Sequence, residues 1–233
     1  MRRASRYWAS AMIAVLAVTP VAAADMATPV ESSPTAPPSF YVHAGASGIF
    51  FQTNAQPTGG GLFSNTTNIA IRPVYTVTLE AGYFVTPNVT IALATGVPPI
   101  EHLKATGFTH EPLYGTNLLG STRGGAVMFL LQYHLTQFGA LQPYAGIGPG
   151  YVLNLGNISD GILTNFSFDQ NFVLALQVGT DWMLTPNWGV FVDGKKLFFS
   201  TDSQGFAFPG NVPERTHVTI DPWVVTAGIT FKY

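Results

Sequence analysis

Apolar residues alternate with smaller or polar residues along the last stretch of the chain. From Trp223 to Tyr233 the odd-numbered positions are almost all aromatic or aliphatic, and the even-numbered positions are mostly threonine, glycine and lysine. A repeat of two residues is typical of a β-strand with one greasy face and one polar face. The alternation therefore predicts that the chain closes with an amphipathic strand.

The same alternation recurs earlier in the chain and predicts seven further strands. They are expected at about residues 40–51, 74–85, 127–135, 145–151, 172–184 and 188–192, with one more beginning at residue 89. Two of the short turns between them share the sequence Thr-Pro-Asn, and both Pro and Asn favour tight turns. The long connections, which are expected to be loops, lie at about 53–71, 98–122, 155–169 and 200–217.

The composition indicates a membrane protein. Charged residues make up 9% of the chain, against roughly 25% in a typical soluble domain. No apolar window long enough for a spanning helix follows the N-terminal region. A closed barrel satisfies every backbone group internally while its greasy face meets lipid. We therefore predict that residues 40–233 are all-β and form an eight-stranded antiparallel transmembrane up-and-down β-barrel, with short periplasmic turns and long extracellular loops. A soluble lipocalin-like barrel fits less well, because the second face is rich in Thr, Gly and Ala.

The N-terminal region has the three parts of a secretory signal peptide. Three arginines precede an apolar run from Trp8 to Val18, and alanines at 22–24 offer a cleavage site. We predict a signal peptide at 1–24 and a Pro-rich periplasmic leader at 25–39. Removing the signal peptide lowers Lys and Arg from ten to seven against twelve Asp and Glu, a formal charge of −5. Such a chain is not expected to bind nucleic acid, and the absence of cysteine excludes disulfides and thiolate metal sites.

An even number of strands places both ends of the barrel on the periplasmic side, so the long connections face outward from the cell. Residues 226–233 resemble the C-terminal signal by which outer-membrane barrels are handed to their insertion machinery. We therefore predict a Gram-negative outer-membrane location, with lipid and the insertion machinery as partners. Aromatic residues beside the short turns are predicted to form a periplasmic girdle, namely Tyr83, Tyr133, Trp182, Trp188 and Tyr233.

The inward faces divide into two zones. The lower zone is a polar plug, predicted from His43, Glu80, Gln132, His134, Gln177, Asp181, Asp193, Lys195 and Lys232. The upper zone is apolar, predicted from Ile49, Phe51, Met128, Val152, Leu197, Phe199, Ile220 and Val224. The charged plug residues are expected to pair, because an unpaired buried charge costs several kcal/mol.

These zones lead to a hypothesis of function. The interior of an eight-stranded barrel is just wide enough for its own side chains, so a continuous water pore is not expected. A small hydrophobic molecule would bind in the upper zone, be stopped by the plug, and leave sideways between strands into the membrane. Inward glycines such as Gly146 and Gly179 would leave space for it. The alternative is that the apolar residues only fill the barrel.

Several segments of the chain form a recognisable set, namely Leu131–Leu135, Gln142–Gly148, Gln177–Leu184, Asn187–Trp188 with Val192–Lys195, and Ile220–Trp223. Together they resemble the OmpW family of small outer-membrane barrels, and the resemblance runs from about Phe40 to Tyr233. It implies an eight-stranded barrel that passes small hydrophobic molecules across the outer membrane. The chain departs from the family pattern at Gly124-Gly125 and at residues 94–99, so details of the outer mouth are not carried over.

Other functions find weaker support. Glu101, His102, His110 and Glu111 share one connection and are the best candidates for a metal site, but their spacing fits no standard one. Residues 200–203 with His217 could supply a hydroxyl and a base at the outer rim, although nothing distinguishes them from a polar loop. We therefore predict no enzyme activity, no metal and no cofactor. A structural or adhesive barrel that acts through its loops stays open beside transport.

Overall fold

The computed structural model describes residues 39–59, 68–106, 116–158, 160–169, 171–207 and 212–233. The predicted signal peptide and nearly all of the predicted leader lie outside these ranges. No helix within them is long and apolar enough to cross a membrane. The strands are β1 Phe40–Phe50, β2 Thr53–Gly59, β3 Asn68–Ile71, β4 Val74–Phe84, β5 Val89–Gly96, β6 Ile100–Thr106, β7 Leu118–His134, β8 Leu141–Ile158, β9 Leu163–Phe168, β10 Phe172–Met183, β11 Trp188–Ala207, β12 Val212–Ile220 and β13 Trp223–Lys232.

Eight of these strands close into a barrel. β1, β4, β5, β7, β8, β10, β11 and β13 pair in that order, all antiparallel, and β13 pairs with β1 to complete the ring. At the seam Tyr41 stands opposite Lys232, and the Phe40 N–H donates to the Tyr233 carbonyl at 3.0 Å. The ring has no free edge, so its backbone groups are satisfied within lipid. The predicted eight-stranded up-and-down barrel is confirmed.

A wide apolar band surrounds the barrel. Most of the large apolar side chains on the outer face are exposed, for example Tyr75 at 77% and Phe172 at 79% of their surface. A soluble monomer rarely exposes a continuous greasy surface of this size, whereas acyl chains cover it in a membrane. The five aromatic residues predicted for the girdle are all exposed, and each lies beside a short turn or at the chain end.

The wall continues above the greasy band in strands. β2, β3, β6, β9 and β12 occupy much of the connections expected to be loops, and β11 and β12 form a regular ladder of nine pairs. Burial alternates along the upper part of β11: Thr201 and Ser203 are buried, whereas Asp202 and Gln204 are exposed. The loop prediction was wrong at these residues because polar side chains occupy both faces of such strands, so no greasy stripe marks them.

The upper wall is interrupted beside β7. The pairing of β5 with β7 stops at Thr95. Pairing with β7 resumes at Ile100, the first residue of β6. The residues between include two consecutive prolines, which have no backbone N–H to donate. β7 in turn shifts its register against β8 just after Arg123. We call this interruption, made of Val97–Pro99 and the facing Gly124–Ala126, the side window.

Candidate functional site

An apolar cavity of about 160 Å³ lies in the upper half of the barrel. All eight side chains predicted for the apolar zone line it, and they come from six strands or the residues just beyond them. The two-residue repeat of each strand turns them to the inside. They are Ile49, Phe51, Met128, Val152, Leu197, Phe199, Ile220 and Val224. That they bind a ligand stays a prediction.

The sequence reasoning missed several apolar side chains of the cavity wall, and four of them belong to the strands above the greasy band. Ile69, Ile71, Leu103 and Val218 line the cavity and are each at most 8% exposed. They lie on β3, β6 and β12, within or just after segments that were expected to be loops. Ile69 and Ile71 do show the two-residue repeat, but over too few positions to indicate a strand by themselves.

The cavity reaches the wall of the barrel at the side window. Val97 and Pro99 line the cavity, and Val97 is also 63% exposed on the outside. The strip is held to β4 by the Val97 N–H, which donates to the Val77 carbonyl at 2.9 Å. On the β7 side, a Cβ added to Gly125 would lie 3.2 Å from Pro98 Cγ. The Pro98 ring therefore packs directly against Gly125 across the side window.

The polar plug below the cavity is centred on a buried carboxylate. Glu80 accepts hydrogen bonds from the Tyr41 hydroxyl at 2.7 Å and from Gln132 Nε2 at 2.8 Å. Lys195 Nζ lies 3.1 Å from Glu80 Oε2 and 2.7 Å from Asp193 Oδ2. Lys195 thus bridges two carboxylates, which offsets the cost of burying all three charges.

A second group of charges occupies the periplasmic end of the plug. Asp181 pairs with His43 Nε2 at 2.9 Å and with Lys232 Nζ at 2.7 Å. His43 Nδ1 also lies 3.7 Å from Glu80 Oε1, which connects the two groups. Lys232 donates onward to Gln142 Oε1 at 2.6 Å. The charged side chains therefore pair among themselves, and none of the nine predicted plug residues is more than 5% exposed.

Amide and ring contacts hold the remaining plug residues. Gln132 Nε2 donates to Gln177 Oε1 at 2.7 Å, and Gln177 Nε2 donates to Asp193 Oδ2 at 2.9 Å. His134 lies 3.1 Å from Gln132 Oε1, and its ring stacks on Tyr144 with centroids 4.8 Å apart. Tyr144 was not among the predicted plug residues. Its position in the two-residue repeat of β8 would have placed it inward.

Glycine in the plug serves close packing and leaves no free space. A Cβ added to Gly179 would lie 2.5 Å from the Tyr144 ring, and one at Gly146 would lie 2.8 Å from Gln132 Cγ. Real Cβ atoms do not approach other atoms so closely, so larger residues would displace these side chains. The expectation that these inward glycines leave space for a ligand was therefore wrong.

The plug blocks the barrel axis. Between the cavity and the plug, the described residues enclose a void of only about 20 Å³, lined by His43, Asp193 and Lys195 among others. A void of this size has room for about one water molecule. A molecule in the upper cavity therefore meets a hydrogen-bonded floor, and the ladder of hydrogen bonds in the cavity wall is interrupted at the side window.

The other candidate chemistry is only partly assembled. Asp202 and His217 lie opposite each other on β11 and β12, with His217 Nδ1 2.7 Å from Asp202 Oδ1 on the exposed surface. Ser200 bonds Thr219 and is not placed in a relay with this pair. His110 and Glu111, which belonged to the metal hypothesis, lie outside the described residues. Within the described part of the chain, no group of three potential ligands could hold a metal ion.

Comparisons with known proteins agree with this architecture. The model of the OmpW family matches residues 37–233. Outer-membrane protein AlkL of Ectopseudomonas oleovorans is 30% identical over 75% of this chain and 73% of its own length. Dibenzothiophene metabolism operon protein PahQ of Pseudomonas aeruginosa is 28% identical over 76% of this chain and 77% of its own length. Outer-membrane protein y4mB of Sinorhizobium fredii is 33% identical over 66% of this chain, which spans only 64% of that protein.

A solved structure gives the same fold. The crystal structure of the outer-membrane protein OprG from Pseudomonas aeruginosa superposes with a TM-score of 0.74. The match covers 84% of this chain and 96% of OprG at 17% sequence identity. At that identity the likeness concerns the fold alone.

Proposed function

Because this chain belongs to the OmpW family and is an outer-membrane β-barrel, we propose that it passes small hydrophobic molecules into or across the outer membrane. The observation that carries the proposal is an apolar cavity that ends below on a hydrogen-bonded plug. The protein performs no catalytic step in this proposal. Its partners are the surrounding lipid and the transported molecule.

Binding in the cavity is expected to be weak enough for release. Each buried methylene contributes about 0.8 kcal/mol, so a six-carbon ligand gains about 5 kcal/mol from the apolar wall. Part of this gain offsets the loss of the ligand's own freedom of motion. A molecule bound so weakly leaves quickly, which suits a route across a membrane better than a storage site.

The proposed exit is the side window. The plug closes the axis, whereas Val97 and Pro99 separate the cavity from the lipid face without a complete ladder of hydrogen bonds. A small outward movement of this strip breaks few bonds, because Pro98 and Pro99 donate none. The ligand then moves directly from the cavity into acyl chains and never crosses water.

The name of one relative supports an apolar cargo. PahQ is named for a dibenzothiophene metabolism operon, and dibenzothiophene is an uncharged aromatic compound. The apolar cavity of this chain suits molecules of that general character.

Placing a carboxylate in the cavity wall should stop uptake. Leu197 is 5% exposed and lines the cavity, so Leu197→Asp introduces an unpaired buried charge that costs several kcal/mol or draws in water. We expect the initial rate of N-phenylnaphthylamine uptake to fall about ten-fold or more. The measurement uses Gram-negative cells that lack their own OmpW-type barrel and express equal amounts of folded protein.

Gln204→Asp is the matched control, because it adds the same charge to the same strand at an exposed position outside the cavity wall. Its uptake rate should equal that of the original protein. An unchanged rate in folded Leu197→Asp would contradict the proposal. The apolar side chains would then only fill the barrel, and a structural or adhesive role of the upper strands would replace transport.

We also propose that β13 presents the insertion signal to the assembly machinery. Phe231 lies near the end of β13, which closes the barrel against β1, and Tyr233 directly follows that strand. Phe231→Ala combined with removal of Tyr233 should lower the amount of folded barrel in the outer membrane several-fold. Heat-modifiable gel migration measures it, and Phe172→Ala, which removes a lipid-facing aromatic elsewhere, should have little effect. Equal losses in both variants would mean that the terminal residues contribute only greasy surface.

A further inference from the structure

The ionisable groups in the cavity wall all have the same sign. Among the described residues that line the cavity, Glu101 and Asp169 are the only ionisable ones, and both are acidic. No lysine, arginine or histidine belongs to the described wall. The lysine nearest below, Lys195, is already paired with two carboxylates of the plug. A charged molecule in the cavity therefore meets carboxylates and no cation.

Glu101 faces the cavity at the edge of the side window. It shares the inward face of β6 with Leu103 and Ala105, both of which are buried. Its carboxylate oxygen lies 3.7 Å from the position that a Cβ at Gly124 would occupy. The Glu101 side chain is half-buried, and none of the described residues forms a hydrogen bond or ion pair with it.

The basic residues of the neighbouring strands point away from Glu101. Lys104 on β6 and Arg123 on β7 occupy the outward face, as does Arg72 just after β3. His102, also outward, bonds Ser121 at 2.7 Å, and Ser121 in turn bonds Asp160 at 2.7 Å. Thr122, the residue opposite Glu101 on β7, is uncharged. No described cation thus compensates the Glu101 carboxylate.

We propose that Glu101 makes the cavity selective for uncharged and cationic apolar molecules over anionic ones of the same chain length. This inference rests on the proposed uptake function and names the class of molecule that the cavity admits. An anionic head group beside Glu101 meets a like charge in a partly buried, mostly apolar space, where repulsion is stronger than in open water. An uncharged head group meets no such penalty.

The size of the selectivity follows from protonation of Glu101. The outward residues of β6 beyond Ile100 are polar, so Glu101 lies above the greasy band. Burial raises its pKa to about 7. An anion can bind once Glu101 takes up a proton, so the penalty rises with pH above this value and vanishes below it. Because protonation of Glu101 relieves the repulsion, the loss of anion affinity is at most about ten-fold at pH 8 and about a hundred-fold at pH 9.

Methionine methyl groups provide a direct readout of the cavity. Met128 lines the cavity, whereas Met183 lies at the far end of β10 and serves as the reference. The protein is labelled with ¹³C-methyl methionine in phosphocholine micelles and titrated with hexanol, hexanesulfonate or hexyltrimethylammonium. We expect hexanesulfonate affinity to fall about ten-fold per pH unit between pH 7.5 and 9, with hexanol affinity constant and hexyltrimethylammonium affinity equal or higher at high pH.

Glu101→Gln should make the hexanesulfonate profile flat with pH, while hexanol still shifts the Met128 methyl signal. Lys104→Gln, an outward residue of the same strand, is the control and should keep the pH dependence. If Glu101→Gln retains that dependence while hexanol still shifts Met128, the selectivity proposal is overturned and the uptake proposal stands. If hexanol fails to shift Met128 in the original protein, both proposals fall together.

Discussion

Oxidation of a Pro98→Cys and Gly125→Cys double variant should block uptake of an apolar probe at least ten-fold. A Cβ built at Gly125 lies 3.5 Å from Pro98 Cβ, within the range of about 3.5–4.5 Å found in disulfides. The bond would tie the strip between β5 and β6 to β7 across the side window. Because the chain has no cysteine of its own, the only disulfide formed within it is the designed one.

Reduction of this disulfide with dithiothreitol should restore uptake to the rate of the reduced double variant. The measurement is N-phenylnaphthylamine uptake by cells, with bond formation checked by mass spectrometry. The single variant Gly125→Cys is the control and should not respond to oxidant. If the fully oxidised protein takes up the probe as fast as the reduced double variant, the side window is not the exit.

The second large effect is expected in the plug, where Lys195→Met should lower the free energy of unfolding by about 3–5 kcal/mol. Lys195 Nζ lies 2.7 Å from Asp193 Oδ2 and 3.1 Å from Glu80 Oε2, and the side chain is nearly inaccessible. The substitution keeps much of the apolar stem but leaves two buried carboxylates without their common cation. Urea titration in lipid vesicles, followed by tryptophan fluorescence, measures the loss.

Lys196→Met provides the control from the adjacent position. Lys196 lies over the Trp223 ring at 5.4 Å and donates to Gln52 Oε1 and to the Asp221 carbonyl. Its removal should cost about 1 kcal/mol or less, because water can replace these contacts. Adding Glu80→Gln to Lys195→Met should recover part of the stability. Equal effects at the two lysines would show that the plug is more hydrated than its geometry indicates.

Much of the candidate site could be predicted because the lower barrel strands face lipid on one side. Lipid demands apolar residues at every second position, and this requirement makes the parity of each strand visible in the sequence. Leu197 and Val224 occupy the alternate positions between lipid-facing residues of their strands, so their side chains must point inward. The same reasoning places Glu80 and Asp181 in the plug, before any contact is known.

The upper strands could not be recognised for the opposite reason. Water covers their outer face, so exposed polar residues such as Asp202 and His217 alternate with buried residues that are often polar too. Ile69 and Ile71 were therefore assigned to a loop although they line the cavity. Glu101 was considered only as a metal ligand, because its inward position depends on the strand β6 that the pattern did not reveal.

The amino-acid sequence by itself determined the barrel, the number of its strands and the face on which each lower-strand side chain lies. The reason is that lipid requires an apolar residue at every second position of a strand, whereas the lumen does not. The tertiary structure alone decided which carboxylate meets which ammonium group and where the wall is interrupted. Pairing between Glu80 and Lys195 depends on the stagger of strands that are distant in sequence. The side window likewise exists only where the prolines of one strand come to face the glycines of another.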